Sequence, residues 1–95
     1  MIKSNTFKIN RKYSEINGLQ KEHYITYCIT TNESGIIISV TSDFSGTSAT
    51  EKCLFPNLSF KKAQDIATLL SENGYGIDNW LDIFEDLDID YVKIN

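Results

Sequence analysis

The segment EHYITYCITT, residues 22–31, alternates between two kinds of side chain. Ile25, Tyr27 and Ile29 share one parity, and threonine or cysteine occupies most of the other. Successive side chains of a strand point to opposite faces, so this alternation predicts a β-strand with one buried face. Residues 35–41 repeat the pattern after a turn at residues 31–35 that ends in glycine. The two segments therefore predict a pair of antiparallel strands.

A further strand is predicted on the N-terminal side, at Thr6–Tyr13. Its odd-numbered positions are apolar except for Arg11, and this break in the pattern favours an edge position in the sheet. The dipeptide Asn17-Gly18 lies between this segment and residues 22–31, and Asn-Gly is typical of a type I′ hairpin turn. We therefore expect three strands in an antiparallel meander.

The region that follows the third strand is polar. Residues 42–50 (SDFSGTSAT) carry serine, threonine and glycine with Asp43 as their single charge, which predicts a loop. Residues 51–55 favour a short fourth strand, and Pro56 ends it because proline cannot donate to the hydrogen-bond ladder.

The C-terminal part has helical periodicity. Ser59 is a candidate N-cap of the first helix. Asn73-Gly74 is expected to end this helix, because glycine readily adopts the left-handed conformation just after a last turn. The apolar stripe of this helix consists of Phe60, Ala63, Ile66, Ala67 and Leu70. Asp78 is a candidate cap of a second helix, whose expected core residues are Trp80, Ile83, Phe84 and Leu87. Residues 89–95 alternate between apolar and polar side chains, but over too short a span to predict a strand.

Strands grouped before helices indicate an α+β fold in a single domain, residues 1–95. We expect an antiparallel sheet of three or four strands followed by an antiparallel helix hairpin packed on one face. The short connection between the helices predicts that they pack against each other.

Composition excludes several classes of protein. The chain has 95 residues, with 13 acidic residues against 9 basic ones and a net charge of −4, which argues against direct binding of nucleic acid. No apolar run approaches the ~20 residues that a membrane span requires. The N-terminus shows no secretory signal pattern, so we expect a cytoplasmic protein without membrane association.

No catalytic, metal or cofactor site is expected. The single histidine, His23, should point to the opposite face from Cys28, so the two do not suggest a nucleophile and its base. Cys28 and Cys53 are expected to be reduced thiols, although a disulfide between neighbouring strands stays open. Residues 86–90 read D-x-D-x-D but lack the glycine and the final glutamate of a calcium loop. We therefore expect a protein that is not an enzyme.

Acidic residues are concentrated at the C-terminal end, where residues 72–95 hold seven acids and one lysine. At helical spacing several of them form one face opposite the expected core. The candidate partner-binding residues are Asp78, Asp82, Glu85, Asp86, Asp88 and Asp90. A helix hairpin would bring Lys61 and Lys62 beside Glu85, Asp86 or Asp88, and an ordinary solvated face is the alternative reading of the remaining acids.

Two segments of the chain resemble a family of small uncharacterised proteins from Firmicutes. The resemblance rests on YITYCI at residues 24–29 and LDIFEDL at residues 81–87. Members have a tyrosine-rich hairpin followed by two short helices, so the resemblance implies strands before helices. Cys28 stands where the family has glycine, and residues 42–55 look like an insertion relative to the family pattern. The resemblance implies no function.

An acidic α+β protein of this size predicts a module that occupies a basic surface of a protein partner. The favoured form is a stoichiometric inhibitor of a nucleic-acid-handling enzyme, of the nuclease-immunity, anti-CRISPR or anti-restriction kind, in which carboxylates stand in for phosphates. The alternative is a regulatory or structural module that self-associates, for example as a homodimer through an edge strand.

Overall fold

The five strands of the sheet lie side by side in chain order. The computed structural model describes residues 6–14, 18, 22–44 and 46–94. The strands are β1 (Thr6–Tyr13), β2 (His23–Asn32), β3 (Gly35–Phe44), β4 (Thr47–Phe55) and β5 (Val92–Ile94). Each strand pairs antiparallel with the next. The α+β class, the meander and the edge position of β1 are confirmed, but the sheet has five strands rather than three or four.

The loop predicted at residues 42–50 is wrong. β3 continues to Phe44 and β4 begins at Thr47, so most of this segment belongs to two long paired strands. β2 supplies pairing partners as far as His23, which lies opposite Phe44. The backbone ladder therefore extends beyond the point where the apolar alternation of the sequence stops. The fourth strand is correspondingly longer than residues 51–55.

The turn between β2 and β3 depends on Gly35. The side-chain oxygen of Asn32 accepts hydrogen bonds from the backbone N–H groups of Ser34 and Gly35, at 2.8 and 3.0 Å. Gly35 has a φ of 141°, and a Cβ atom there would lie 2.7 Å from the carbonyl oxygen of Phe55. The turn predicted at residues 31–35 is confirmed. Asn17 of the other predicted turn lies outside the described residues.

One face of the sheet, here called the inner face, carries the core. Residues directly opposite each other in neighbouring strands share a face, so Ile29, Ile38 and Cys53 form one fully buried row. The outer face is polar, and the hydroxyl oxygens of Thr41 and Thr50 lie 2.9 Å apart on it.

The first helix, α1 (Phe60–Glu72), begins and ends as predicted. The Ser59 hydroxyl accepts a hydrogen bond from the N–H of Lys62 at 3.1 Å, and Gly74 follows the last turn with a φ of 69°. The stripe residues from Ala63 to Leu70 are buried against the inner face. There the Tyr27 hydroxyl donates to the Leu70 carbonyl at 3.3 Å, which ties the end of α1 to β2.

The second helix, α2 (Leu81–Asp86), starts later than expected, and Asp78 does not cap it. Trp80 is the N-cap residue and makes no side-chain capping bond. The side-chain oxygen of Asn79 instead accepts from the N–H of Gly76 at 2.9 Å, so the polar side chain closes the preceding turn rather than the helix.

The predicted core stripe of α2 is only partly correct. Trp80 and Phe84 are fully buried and Ile83 is half-buried, but Leu87 is 46% exposed. The helix ends at Asp86, and Asp88 adopts the left-handed conformation with a φ of 60°. The chain therefore turns away before Leu87 can reach the sheet.

The predicted helix hairpin is wrong, because no Cα atom of α1 lies within 8 Å of α2. α1 lies over β1, β2 and β3. α2 contacts β4 through side chains, since the ring centroids of Phe84 and Phe55 are 4.5 Å apart. Both helices do cover the inner face. Lys61 pairs with Asp65 at 2.7 Å, and no ion pair among the described residues links Lys61 or Lys62 to the acids of α2. In the described part of the chain, no helix is both long and apolar enough to cross a membrane.

The two cysteines are free thiols on opposite faces of the sheet. Cys28 lies on the outer face of β2 and is half-buried, while Cys53 lies on the inner face of β4 and is fully buried. β3 separates the two strands, so the disulfide that the sequence left open does not form.

Candidate functional site

The acidic residues predicted to contact a partner are all exposed. They lie on the turn before α2, on α2 itself and on the segment after it, and they are Asp78, Asp82, Glu85, Asp86, Asp88 and Asp90. The N–H of Asp82 donates to the Asn79 carbonyl at 3.2 Å, so the turn runs directly into the helix. This geometry places Asp82 about one helical turn from Asp78 on one side and from Glu85 on the other.

Three of these acids line one surface depression, here called the acidic groove. The groove has a volume of about 510 Å³ and runs between α2 and the strands β4 and β5. Its charged lining residues are Asp78, Asp82, Glu85, Glu51 and Lys93. Four carboxylates therefore face a single ammonium group in one depression, which favours a cationic ligand.

The other three acids lie elsewhere. Asp88 and Asp90 line a neighbouring depression of about 370 Å³, which Glu85 also borders. Asp86 lines neither depression and projects from the exposed side of α2. The six predicted residues thus form two adjoining acidic surfaces with Glu85 between them and Asp86 outside both.

A buried tryptophan holds the acidic groove in place. The indole N–H of Trp80 donates to Oε1 of Glu51 at 2.9 Å, and its ring meets Phe84 edge-on with centroids 5.8 Å apart. Oε2 of Glu51 lies 3.9 Å from the ammonium of Lys93. Trp80 therefore links the start of α2 to Glu51 of β4, which lines the groove.

Tyr91 adds a neutral hydroxyl to the wall of the acidic groove. Desolvation raises the pKa of Tyr91, and the Glu85 carboxylate raises it further. The phenol is accordingly protonated at neutral pH and supplies a donor beside the carboxylates.

A second depression, here called the edge cavity, lies beside the acidic groove. It has a volume of about 430 Å³, and its lining includes Ile25, Phe44, Thr47, Ala49 and Ile77. Ile77 and Asp78 border both depressions, so the cavity continues into the groove.

His23 lies at the end of the edge cavity, on the same face as Ile25 and Tyr27 as predicted. Its ring stacks between Tyr13 and Phe44, with centroid distances of 5.0 and 4.6 Å. These aromatic residues lie opposite one another on three neighbouring strands. The imidazole is thus part of a cross-strand stack, on the opposite face from Cys28.

Cys53 is a buried thiol of low reactivity. Burial raises the pKa of Cys53 to about 11, which keeps this sulfur protonated and poorly nucleophilic at neutral pH. Among the described residues, no group of three or more His, Cys, Asp or Glu side chains is placed to hold a metal ion.

The sequence did not single out the residues that complete this region. Glu51, Tyr91 and Lys93 come to α2 only because β4 and β5 pair beside it. The brief alternation at residues 89–95 is the one signal in the sequence for β5, and the threonines at positions 47 and 50 are a weak signal for a strand.

The chain matches no protein-family model, no curated protein and no solved structure. The resemblance to small Firmicute proteins therefore stays a prediction.

Proposed function

We propose that this chain is a cytoplasmic, non-enzymatic binding module that occupies a basic surface of a protein partner. Its most specific form is a stoichiometric inhibitor of a nucleic-acid-handling enzyme. The observation that supports this proposal is the acidic groove, where Asp78, Asp82 and Glu85 lie together with Glu51.

The electrostatics of the groove support a role in association. Among the described residues the ion pairs are Lys12–Glu22, Lys61–Asp65 and Lys93–Glu51, so Asp78, Asp82 and Glu85 stay without cationic partners there. Asp82 and Glu85 both lie in α2, where like charges about one turn apart cost about 0.2–0.5 kcal/mol in helix stability. A basic partner surface would relieve that repulsion and would be attracted from a distance.

The proposal is tested with a charge variant and a matched control. The test variant combines Asp78→Asn, Asp82→Asn and Glu85→Gln. The control combines Glu33→Gln, Asp43→Asn and Glu72→Gln, which change the net charge equally at positions outside both acidic depressions.

Each protein is immobilised and used to capture binding proteins from a lysate of the source cell at low and at high salt. We expect the wild type and the control to capture the same protein at low salt and the test variant to lose it. High salt should release it, because exposed charges are screened. A short DNA duplex at constant ionic strength should also release it, since an inhibitor of this kind covers the nucleic-acid site. Capture that survives the test variant and resists both salt and DNA would refute the proposal.

The second candidate is a self-associating module. It is favoured by the edge of β4, where residues 47–51 have no strand partner on one side within the described part of the chain. Sedimentation equilibrium of the isolated protein separates the two candidates. A self-associating module should show an average mass that rises from monomer to dimer as the protein concentration increases.

A further inference from the structure

The edge of β4 is open along half its length. β5 pairs with Lys52, Cys53 and Leu54 only. Residues 47–51 have no partner on that side among the described residues, and residues 47–50 are exposed. This stretch is called the open edge below.

The open edge lacks the features that protect the opposite edge of the sheet. β1 carries Lys8, Arg11 and Lys12, and charged side chains on an edge strand hinder the addition of another strand. Residues 47–50 are threonine, serine, alanine and threonine, with no charge and no proline. The open edge therefore presents a small, neutral and regular backbone to any extended segment.

The hairpin turn determines which backbone groups point outwards. Phe44 lies opposite Thr47 in the last pair of the β3–β4 ladder, with two residues of sequence between them. In a hairpin of this length the two residues of the closing pair hydrogen-bond to each other. Alternation along the strand then directs the N–H and C=O groups of Ser48 and Thr50 away from β3. The same alternation directs those of Lys52 and Leu54 outwards, where β5 meets them.

The side chains of the open edge fit the two depressions. Thr47 and Ala49 line the edge cavity, which is largely apolar, and Glu51 lines the acidic groove. Ser48 and Thr50 belong to the polar outer face, because they lie opposite Asp43 and Thr41. A strand added here would place alternate side chains into the cavity and then into the groove.

We propose that the open edge of β4 binds an extended segment of the partner protein, antiparallel to β4 and in line with β5. The segment carries apolar side chains opposite Thr47 and Ala49, polar ones opposite Ser48 and Thr50, and a lysine or arginine opposite Glu51. Its basic character rests on the proposed function, whereas the strand addition rests on the backbone of β4.

A second copy of this chain fits the open edge less well than a basic segment. Pairing two β4 edges would bring two acidic grooves, each with Asp78, Asp82 and Glu85, to the same junction. Each chain carries a net charge of −4, so this arrangement concentrates like charge. A basic segment neutralises it instead.

The test uses a synthetic hexapeptide, acetyl-Arg-Thr-Val-Thr-Val-Thr-amide, and the isotope-labelled full chain. Nuclear magnetic resonance follows the amides, and we expect chemical-shift changes centred on Ser48 and Thr50. Hydrogen exchange at these two amides should slow about tenfold at a peptide concentration ten times Kd. The amides of Ser39 and Val40, inside the sheet, should not change.

Matched controls separate backbone pairing from side-chain binding. A peptide N-methylated at the threonines opposite Ser48 and Thr50 keeps its side chains but loses two donors, so it should bind at least about tenfold more weakly. Ser48→Pro should weaken binding similarly, whereas Ser48→Ala should not, because only proline removes the outward N–H. Circular dichroism verifies that each variant folds, and the methylated peptide tests the proposal on the unaltered chain.

Several outcomes would overturn the proposal. Equal binding of the methylated peptide, or no binding of either peptide at millimolar concentration, excludes strand addition at this edge. Chemical-shift changes confined to Asp78, Asp82 and Glu85 would also exclude strand addition, but they would agree with the proposed basic partner. A wild-type dimer that Ser48→Pro converts to a monomer would assign the open edge to a second copy.

Discussion

Trp80→Ala should remove a large part of the folding stability of this protein. Trp80 is fully buried, packs edge-to-face against Phe84 and donates its indole N–H to Glu51. Loss of such a side chain costs about 3–5 kcal/mol. A domain of 95 residues is stable by roughly 5–14 kcal/mol in total, so the variant should be marginally folded or unfolded.

Two further variants divide this cost into its parts. Trp80→Phe keeps an aromatic ring against Phe84 and loses the donor to Glu51, so we expect a loss of about 1–3 kcal/mol. Glu51→Gln retains an acceptor for the indole and should cost about 1 kcal/mol or less. Leu87→Ala is the matched control on the same segment, because Leu87 is 46% exposed, and it should cost under about 1 kcal/mol.

Urea unfolding followed by far-ultraviolet circular dichroism measures these differences. Fluorescence is unsuitable for the comparison because Trp80 is the only tryptophan of the chain. Two results would show that Trp80 does not hold α2 on the sheet. One is a loss of unfolding free energy below about 1 kcal/mol for Trp80→Ala, and the other is a greater loss for Leu87→Ala than for Trp80→Ala.

The remaining predictions concern a turn, a thiol pair and a buried hydroxyl. Gly35→Ala should destabilise the protein by about 1–3 kcal/mol, because its Cβ would meet the Phe55 carbonyl at a strained φ; an unchanged thermal midpoint would contradict this. Iodoacetamide at pH 8 should alkylate Cys28 much faster than Cys53, as peptide mass spectrometry can measure. The raised pKa of Cys53 also means that the native state holds this proton more tightly than the unfolded state, so stability falls as pH rises from about 9 to about 11, and the fall should be smaller in Cys53→Ala. Tyr27→Phe should lower the free energy of unfolding by about 1–2 kcal/mol, since the hydroxyl hydrogen-bonds to backbone carbonyls at the end of α1 and just after it. An unchanged free energy of unfolding would instead show that water satisfies those carbonyls in the variant.

Local patterns in the sequence predicted the elements that depend on neighbouring residues. The alternation around Ile25, Tyr27 and Ile29 identified β2 and its buried face, and Ser59 and Gly74 marked the ends of α1. These features follow from the two-residue period of a strand and from hydrogen bonds within a few positions of the chain.

Long-range pairing decided the features that the sequence misrepresented. Most of the polar segment at residues 42–50 became strand through pairing with neighbouring strands. β2 continues to His23 and pairs with residues 42–44, and β3 in turn pairs with residues 47–50. Residues 92–94 became β5 because α2 returns the chain beside β4, where Leu54 and Lys52 have outward backbone groups.

The sequence by itself determined that the main strands precede the two helices, which faces of β2 and β3 are buried, and that acids are concentrated near the C-terminus. Only the tertiary structure separated α1 from α2, brought Glu51 to Trp80 and Lys93, and left half of β4 open beside an acidic groove. The physical reason is that periodicity and capping act over one or two turns of chain. The position of a helix over a sheet and the extent of an edge strand depend instead on contacts between residues far apart in sequence.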